Sequence, residues 1–191
     1  MILNPNINYI VSGLERSGTS MLMQIINAGG VDTSFDDSRK PDKNNPKGYF
    51  ELSGGKIINQ LMDGKFSFEK HRGKFIKITC YGLKFLPKGK YKIIYSERNI
   101  EEILDSMEKM MGKKDPKRNE TKDVFIKLNK MVKNKIKNRS DCDVLFVNYN
   151  KIIKSPYDNI KKIYDFLDNK KLDLEKMVSV VDKSLYRQRH N

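Results

Sequence analysis

The sequence predicts an α/β protein: a mostly parallel central sheet with helices on both faces, in a three-layer α/β/α arrangement. Three observations carry this. Short apolar, β-rich segments alternate along the chain with segments whose apolar residues recur at helical spacing. The 191 residues suit a single domain, 1–191, with a sizeable core, and no internal repeat or domain-sized linker interrupts them. Two glycines, Gly13 and Gly18, stand at the first strand-to-helix junction.

The elements follow in order. Residues 8–12 (Asn-Tyr-Ile-Val-Ser) form a short apolar strand ended by Gly13. Thr19–Ala28 carries Met21, Leu22, Ile25 and Ile26 at helical spacing, and Gly29 and Gly30 stop it. Residues 31–48 are polar and contain two prolines, which predicts a long loop of the kind that usually serves function. A short helix is expected over 53–62, and strands over 74–80 and 91–96. Asn99 caps a helix reaching about Met111, with Glu102 three residues on as its capping-box partner. Residues 112–119 are a charged linker. Val124, Leu128, Met131, Val132 and Ile136 mark an amphipathic helix with a lysine-rich outer face. A strand over 143–148 follows, then a helix with Pro156 at its first position, a short helix near 172–181 and a basic tail.

The net charge is +14, which points to a polyanionic partner: a nucleotide, a sulfated or phosphorylated glycan, nucleic acid or an anionic surface. Lysine and asparagine are spread evenly, so a solvated lysine face accounts for the charge as well. No apolar run is long enough to span a bilayer, and Met1-Ile-Leu-Asn-Pro5 has neither the basic region nor the apolar core of a secretory signal. Cys80 and Cys142 have neither metal-ligand nor redox spacing; reduced, partly buried thiols and a cytoplasmic location are expected.

The chemistry concentrates in Gly13-Leu-Glu-Arg-Ser-Gly-Thr-Ser20. Glycines let the backbone turn tightly and aim N–H groups at an anion, and the following helix adds free N–H groups and a positive dipole end. Thr19 and Ser20 add hydroxyls. A nucleoside-triphosphate loop has lysine where Thr19 stands, and that lysine reaches the β- and γ-phosphates. Arg16, inside the loop, can supply the charge instead.

Glycine, then Arg-Ser-Gly-Thr-Ser, after a strand resembles the 5′-phosphosulfate loop of the sulfotransferases, which use 3′-phosphoadenosine 5′-phosphosulfate (PAPS) as donor. Two further elements strengthen the resemblance. Tyr95-Ser-Glu-Arg98 ends a strand and Ser106 lies eight residues on; in that family such a pair binds the donor's 3′-phosphate. A guanidinium offers a planar fork to a phosphate, and the Ser106 hydroxyl can point back toward Arg98. The third element is a strand leading to Tyr149 and then a helix opened by Pro156; in relatives this tyrosine lies near the adenine, although a strand-end tyrosine is also a common core residue. The resemblance runs from about Tyr9 to Asp168, and the segments Asn45 to Glu51 and Gly73 to Lys77 are similar to a compact bacterial or viral branch. Leu185-Tyr-Arg-Gln-Arg189 is similar to that branch's basic C-terminus, so either Arg187 or Arg189 folds onto the 3′-phosphate or the tail is solvated.

The resemblance implies a P-loop NTPase-like fold, donor binding by Gly13, Arg16, Ser17, Gly18, Thr19, Ser20, Arg98, Ser106, Tyr149 and Arg187, PAP as product, and no metal. Arg16 would neutralise the leaving 5′-phosphate, Lys77 would face the transferring sulfuryl group, and a base would take the acceptor's proton. Many cytosolic relatives place a histidine just after this strand; Ile78-Thr-Cys-Tyr-Gly82 has none. Glu51 is the best match to the glutamate used by relatives acting on glycans or tyrosyl peptides, with Asp36, Asp37 and His71 as runners-up. Glu15 is expected to face outward or pair with a cation, because inward it would repel phosphate. The acceptor is a hydroxyl or amine on an unidentified molecule: an anionic glycan, a peptide or a lipid. Two other readings stay open. One is a P-loop kinase with an altered loop, which lacks its lysine and a carboxylate at a strand end, where Ser96 and Asn148 stand. The other is a non-catalytic nucleotide or nucleic-acid binder, for which charge is the sole support and no specific nucleic-acid motif is present.

Overall fold

The computed structural model describes residues 1–36, 38–42 and 45–185. Four strands form one sheet: β1 (Asn8–Gly13), β2 (Phe75–Lys77), β3 (Tyr91–Glu97) and β4 (Cys142–Asn148). Their order is β2-β1-β3-β4 and every pairing is parallel. The helices are α1 (Thr19–Ala28), α2 (Ile57–Met62), α3 (Ile100–Met111), α4 (Arg118–Lys137), α5 (Tyr149–Lys154), α6 (Pro156–Leu167) and α7 (Leu174–Ser179).

The sheet is buried on both sides, as parallel strands flanked by crossover helices must be. On one face Tyr9, Val11, Phe75 and Ile94 pack with α1, α6 and α7. On the other, Ile10, Ile76, Ile93 and Tyr95 pack with α2, α3 and α4. The helices that follow the neighbouring strands β1 and β3 therefore leave to opposite faces. Such a switch point opens a crevice at the carboxyl ends of the strands. Gly13, Lys77, Arg98 and Tyr149 all lie at that edge, because each ends or directly follows its strand.

The local departures from expectation have physical reasons. The strand expected over 74–80 is paired only over Phe75–Lys77, because the chain turns into a 3-10 helix at Cys80–Phe85. The helix expected over 53–62 begins only at Ile57, since Ser53, Gly54 and Gly55 are all left-handed (φ +52°, +60° and +85°) and form a separate 3-10 turn. In α4 the core-facing stripe is Val132 and Ile136, both buried, with Phe125 and Leu128 partly buried beside them. Val124 and Met131 sit one position, about 100° of helix, away from it and are 60% and 45% exposed. Asn99 does cap α3, but it accepts from the Glu101 amide, and Glu102 turns inward rather than back to the cap. A six-residue helix, α5, begins at Tyr149 with Asn148 as its cap. No helix among the described residues is long and apolar enough to cross a membrane.

Candidate active site

The loop after β1 is tightly wound. Gly13 has φ +150°, Arg16 φ +64° and Gly18 φ +99°. A Cβ on Gly13 would fall 2.4 Å from Ser17 Oγ and 2.7 Å from the Ser96 carbonyl, so only glycine lets the loop lie this close to β3. Ser96 Oγ donates to the Ser17 carbonyl at 2.6 Å and fixes the loop to the sheet. Gly13 and Ser17 are thus buried beneath the loop and do not line the cavity over it, and the Ser17 hydroxyl is buried without a hydrogen-bond partner. Helix α1 begins above them with no side-chain cap and no acidic residue in its first turn. Its N-terminal amides and dipole are left for an anion.

A cavity of about 390 Å³ lies over this loop, within the range of small-molecule sites. It is continuous from Lys77 and Glu51 at one end, across Arg16 and Ser20, to Arg98 and Ser106 at the other.

At the first end, Lys77 projects from β2 with its side chain 4% exposed. Its ammonium donates to Glu51 Oε1 at 3.0 Å, to the Tyr49 carbonyl, and to Ser20 Oγ at 3.4 Å. Burial pushes the Lys77 pKa down, and the Glu51 carboxylate opposes that shift. Glu51 also accepts from Arg39 Nη1, at 3.2 and 3.0 Å to its two oxygens. The Arg39 guanidinium lies 3.5 Å over the Tyr49 ring, and the Tyr49 hydroxyl is anchored on the Asp42 carboxylate at 2.9 Å. The segment carrying Glu51 is strained: Phe50 has φ +54° and Ser53 φ +52°. A left-handed bulky residue costs roughly 1–3 kcal/mol and persists only when its surroundings enforce it. Here the Asp36 amide donates to the Glu51 carbonyl at 3.0 Å, Asp36 Oδ2 accepts from the Ser53 amide at 2.6 Å, and Phe35 packs on Phe50 with centroids 4.9 Å apart.

The second end is a network. Arg98 Nε donates to Glu102 Oε2 at 2.9 Å and Nη1 to the Arg16 carbonyl at 3.0 Å, while the guanidinium stacks 4.5 Å over the Tyr149 ring. Arg16 Nε in turn donates to Ser106 Oγ at 3.0 Å. Ser106 therefore meets Arg16 rather than Arg98, because Glu102 and the loop carbonyl have already turned Arg98.

The structure brings Arg16, Gly18, Thr19, Ser20, Glu51, Lys77, Arg98, Ser106 and Tyr149 around one cavity. Glu15 sits exposed at its rim. Of the runner-up bases, Asp36 is engaged in the loop contacts above. His71 lies away from the cavity, 2.7 Å from Ser34 Oγ and stacked on Phe66. Asp37, Arg187 and Arg189 lie outside the described residues. Sequence reasoning missed Arg39, Tyr49, Lys109 and the role of Glu102. Lys109 was within reach, since it follows Ser106 by three residues on the same helix face. Arg39 lies in a loop whose composition carries no code. No group of three or more histidine, cysteine, aspartate or glutamate side chains among the described residues is arranged to hold a metal ion.

The family profile of the sulfotransferase domain matches residues 7–189. The chain belongs to the sulfotransferase domain family. Two solved structures share its fold. The sulfotransferase domain of a Synechococcus olefin synthase superposes with a TM-score of 0.56 at 15% identity, over 94% of this chain and 78% of that one. A mouse sulfotransferase solved as a complex with PAP gives a TM-score of 0.51 at 16% identity, over 94% of this chain but only 64% of its own length. No curated protein sequence matches the chain. As a sulfotransferase domain it carries the parallel sheet and surrounding helices, with a tight glycine-containing loop between β1 and α1.

Proposed function

We propose that this sulfotransferase domain, residues 1–191 as one unit, moves a sulfuryl group from PAPS to a hydroxyl or amine of an acceptor. The observation that supports it best is the single cavity joining two cationic ends across an uncapped helix N-terminus. A donor with a 5′-phosphosulfate and a separate 3′-phosphate needs that layout, and a triphosphate does not. The residues fit: the α1 amides, Thr19, Ser20 and Arg16 face the 5′ side, Arg98, Ser106 and Lys109 the 3′ side, and Tyr149 offers an aromatic ring between them. The mouse relative's complex with PAP is consistent with this use of the fold.

In the reaction the acceptor oxygen or nitrogen bonds to sulfur, the bond from sulfur to the bridging 5′-phosphate oxygen breaks, and PAP leaves with that electron pair. Glu51 takes the acceptor's proton after exchanging its contact with Lys77. Lys77, already within 3.4 Å of Ser20, swings its ammonium toward the bridging oxygen and offsets the charge that develops there. Arg16 and the α1 amides hold the departing phosphate, so catalysis is mainly positioning and electrostatics. The basic surface suits an anionic glycan, peptide or lipid as acceptor, and two free cysteines suit a reducing, cytoplasm-like compartment.

Thermal stabilisation tests the reading. A ligand at a hundredfold its dissociation constant raises stability by about 2.7 kcal/mol. PAP should do so without magnesium, and Mg-ATP should do much less, because Thr19 stands where the kinase lysine would be. Stabilisation by Mg-ATP alone would overturn it in favour of the kinase reading.

A further inference from the structure

Glu102 is fully buried, with 0% of its side chain exposed. A buried carboxylate is costly unless it is paired and hydrogen-bonded. Its two oxygens are divided between two elements: Oε2 accepts from Arg98 Nε at 2.9 Å, and Oε1 accepts from Asn150 Nδ2 of α5 at 2.8 Å. The guanidinium it grips is restrained on two more sides, by the Arg16 carbonyl at 3.0 Å and the Tyr149 ring at 4.5 Å. The Arg98 side chain itself is only 7% exposed, yet it lines the cavity.

We infer that Glu102 is a positioning residue whose buried carboxylate presets the Arg98 guanidinium to receive the 3′-phosphate of the nucleotide. The inference rests on the donor reading above. Its physical content is preorganisation. A free arginine loses considerable rotamer entropy when it closes on a phosphate, whereas a guanidinium already held at Nε and Nη1 meets the ligand without that loss. The entry to α3 makes the device possible: Arg98 stands just before the Asn99 cap and Glu102 lies in the first turn of the helix, so the chain brings carboxylate and guanidinium together across the start of the helix. Asn150 ties the carboxylate to α5, whose first residue is Tyr149, so the grip and the stacking surface move as one unit.

The test compares two probes on the full chain by titration calorimetry: PAP, and AMP, which lacks the 3′-phosphate. The ratio of their affinities isolates the 3′-phosphate contribution, and a merely structural role would not alter it. Glu102→Gln should cut that ratio by about tenfold, equivalent to about 1.4 kcal/mol, while AMP affinity changes by less than about threefold. Asn150→Ala keeps the Arg98 pair but releases one carboxylate oxygen; it should lower the ratio by about threefold, and it serves if the Gln variant does not fold. An unchanged or increased ratio in these variants, or equal losses for both probes, overturns the inference while the donor reading stands. A wild type that binds PAP no more tightly than AMP overturns the donor reading and the inference with it.

Discussion

The ring of Tyr149 lies directly against Gly18: a Cβ on Gly18 would fall 2.3 Å from its Cδ2 atom. The loop and the start of α5 are therefore in contact through a glycine that has no room for a side chain. Gly18 is also left-handed, at φ +99°, which L side chains rarely adopt.

Gly18→Ala should accordingly fail twice. The methyl group must push Tyr149 away, and the backbone must leave the conformation that starts α1. We expect a stability loss of about 1–3 kcal/mol and, for the folded fraction, loss of PAP-induced stabilisation in a thermal melt. Shrinking the ring with Tyr149→Leu should not restore binding to Gly18→Ala, since the positive φ remains. Recovery in that double variant would show that the clash alone mattered.

The contact between Lys77 and Glu51 at 3.0 Å makes a second prediction. Glu51→Gln should abolish transfer, because no base remains beside the acceptor, yet leave PAP affinity intact. Retained turnover would move the base elsewhere. The same change leaves a buried ammonium without its carboxylate, which costs about 3–5 kcal/mol where such a pair is deeply buried. Replacing both groups by Lys77→Met with Glu51→Gln should recover much of that loss, as denaturant unfolding would measure. The pH dependence has a definite sign. Burial holds the folded Lys77 below its ordinary 10.5, so between the lowered value and 10.5 the unfolded chain binds more protons. Stability from this group therefore rises with pH through that window. Removing the Glu51 charge should widen the window toward lower pH.

Local signals carried most of what could be read in the sequence. The tight loop after β1 and helix α1 were legible because glycines, hydroxyls and helical periodicity all fall within twenty residues of each other. Lys77 was singled out by the resemblance of the segment Gly73 to Lys77, whereas its place at the end of β2 is known only from the fold, because the strand was expected to run on to residue 80. Glu102 was not, because a residue three after Asn99 is also four after Arg98, and spacing alone does not say which neighbour it faces. Helix α5 has six residues, too few to show a period. Arg39 reaches Glu51 from a loop twelve residues upstream, a contact that only the folded chain creates.

Both cysteines should be protected in the native state. Cys80 Sγ lies 3.0 Å from the Tyr95 hydroxyl in the core, and burial pushes the Cys80 and Cys142 thiols up to about 11. The thiolate is the reactive form, so near pH 8 a thiol-specific reagent should label the native protein about a hundredfold more slowly than the denatured chain. Fast native labelling of Cys80 would contradict its burial against Tyr95.

Acid sensitivity should trace in part to Glu101 on α3. It meets Lys122 at 2.5 Å and Arg118 at 2.8 Å, and these cations of α4 pull its pKa from 4.5 down to about 2. The folded pKa lies below the unfolded one, so the stabilisation is present above pH 4.5 and is lost as pH falls toward 2. The carboxylate is partly exposed, and solvent screening limits the contribution to about 1 kcal/mol. Glu101→Gln should lower stability at neutral pH by no more than that amount and flatten the acid side of the stability profile. High salt should shrink the difference between wild type and variant, because exposed charges are screened. A variant whose acid profile overlays the wild type at low salt would show that the α3–α4 ion pairs contribute nothing measurable.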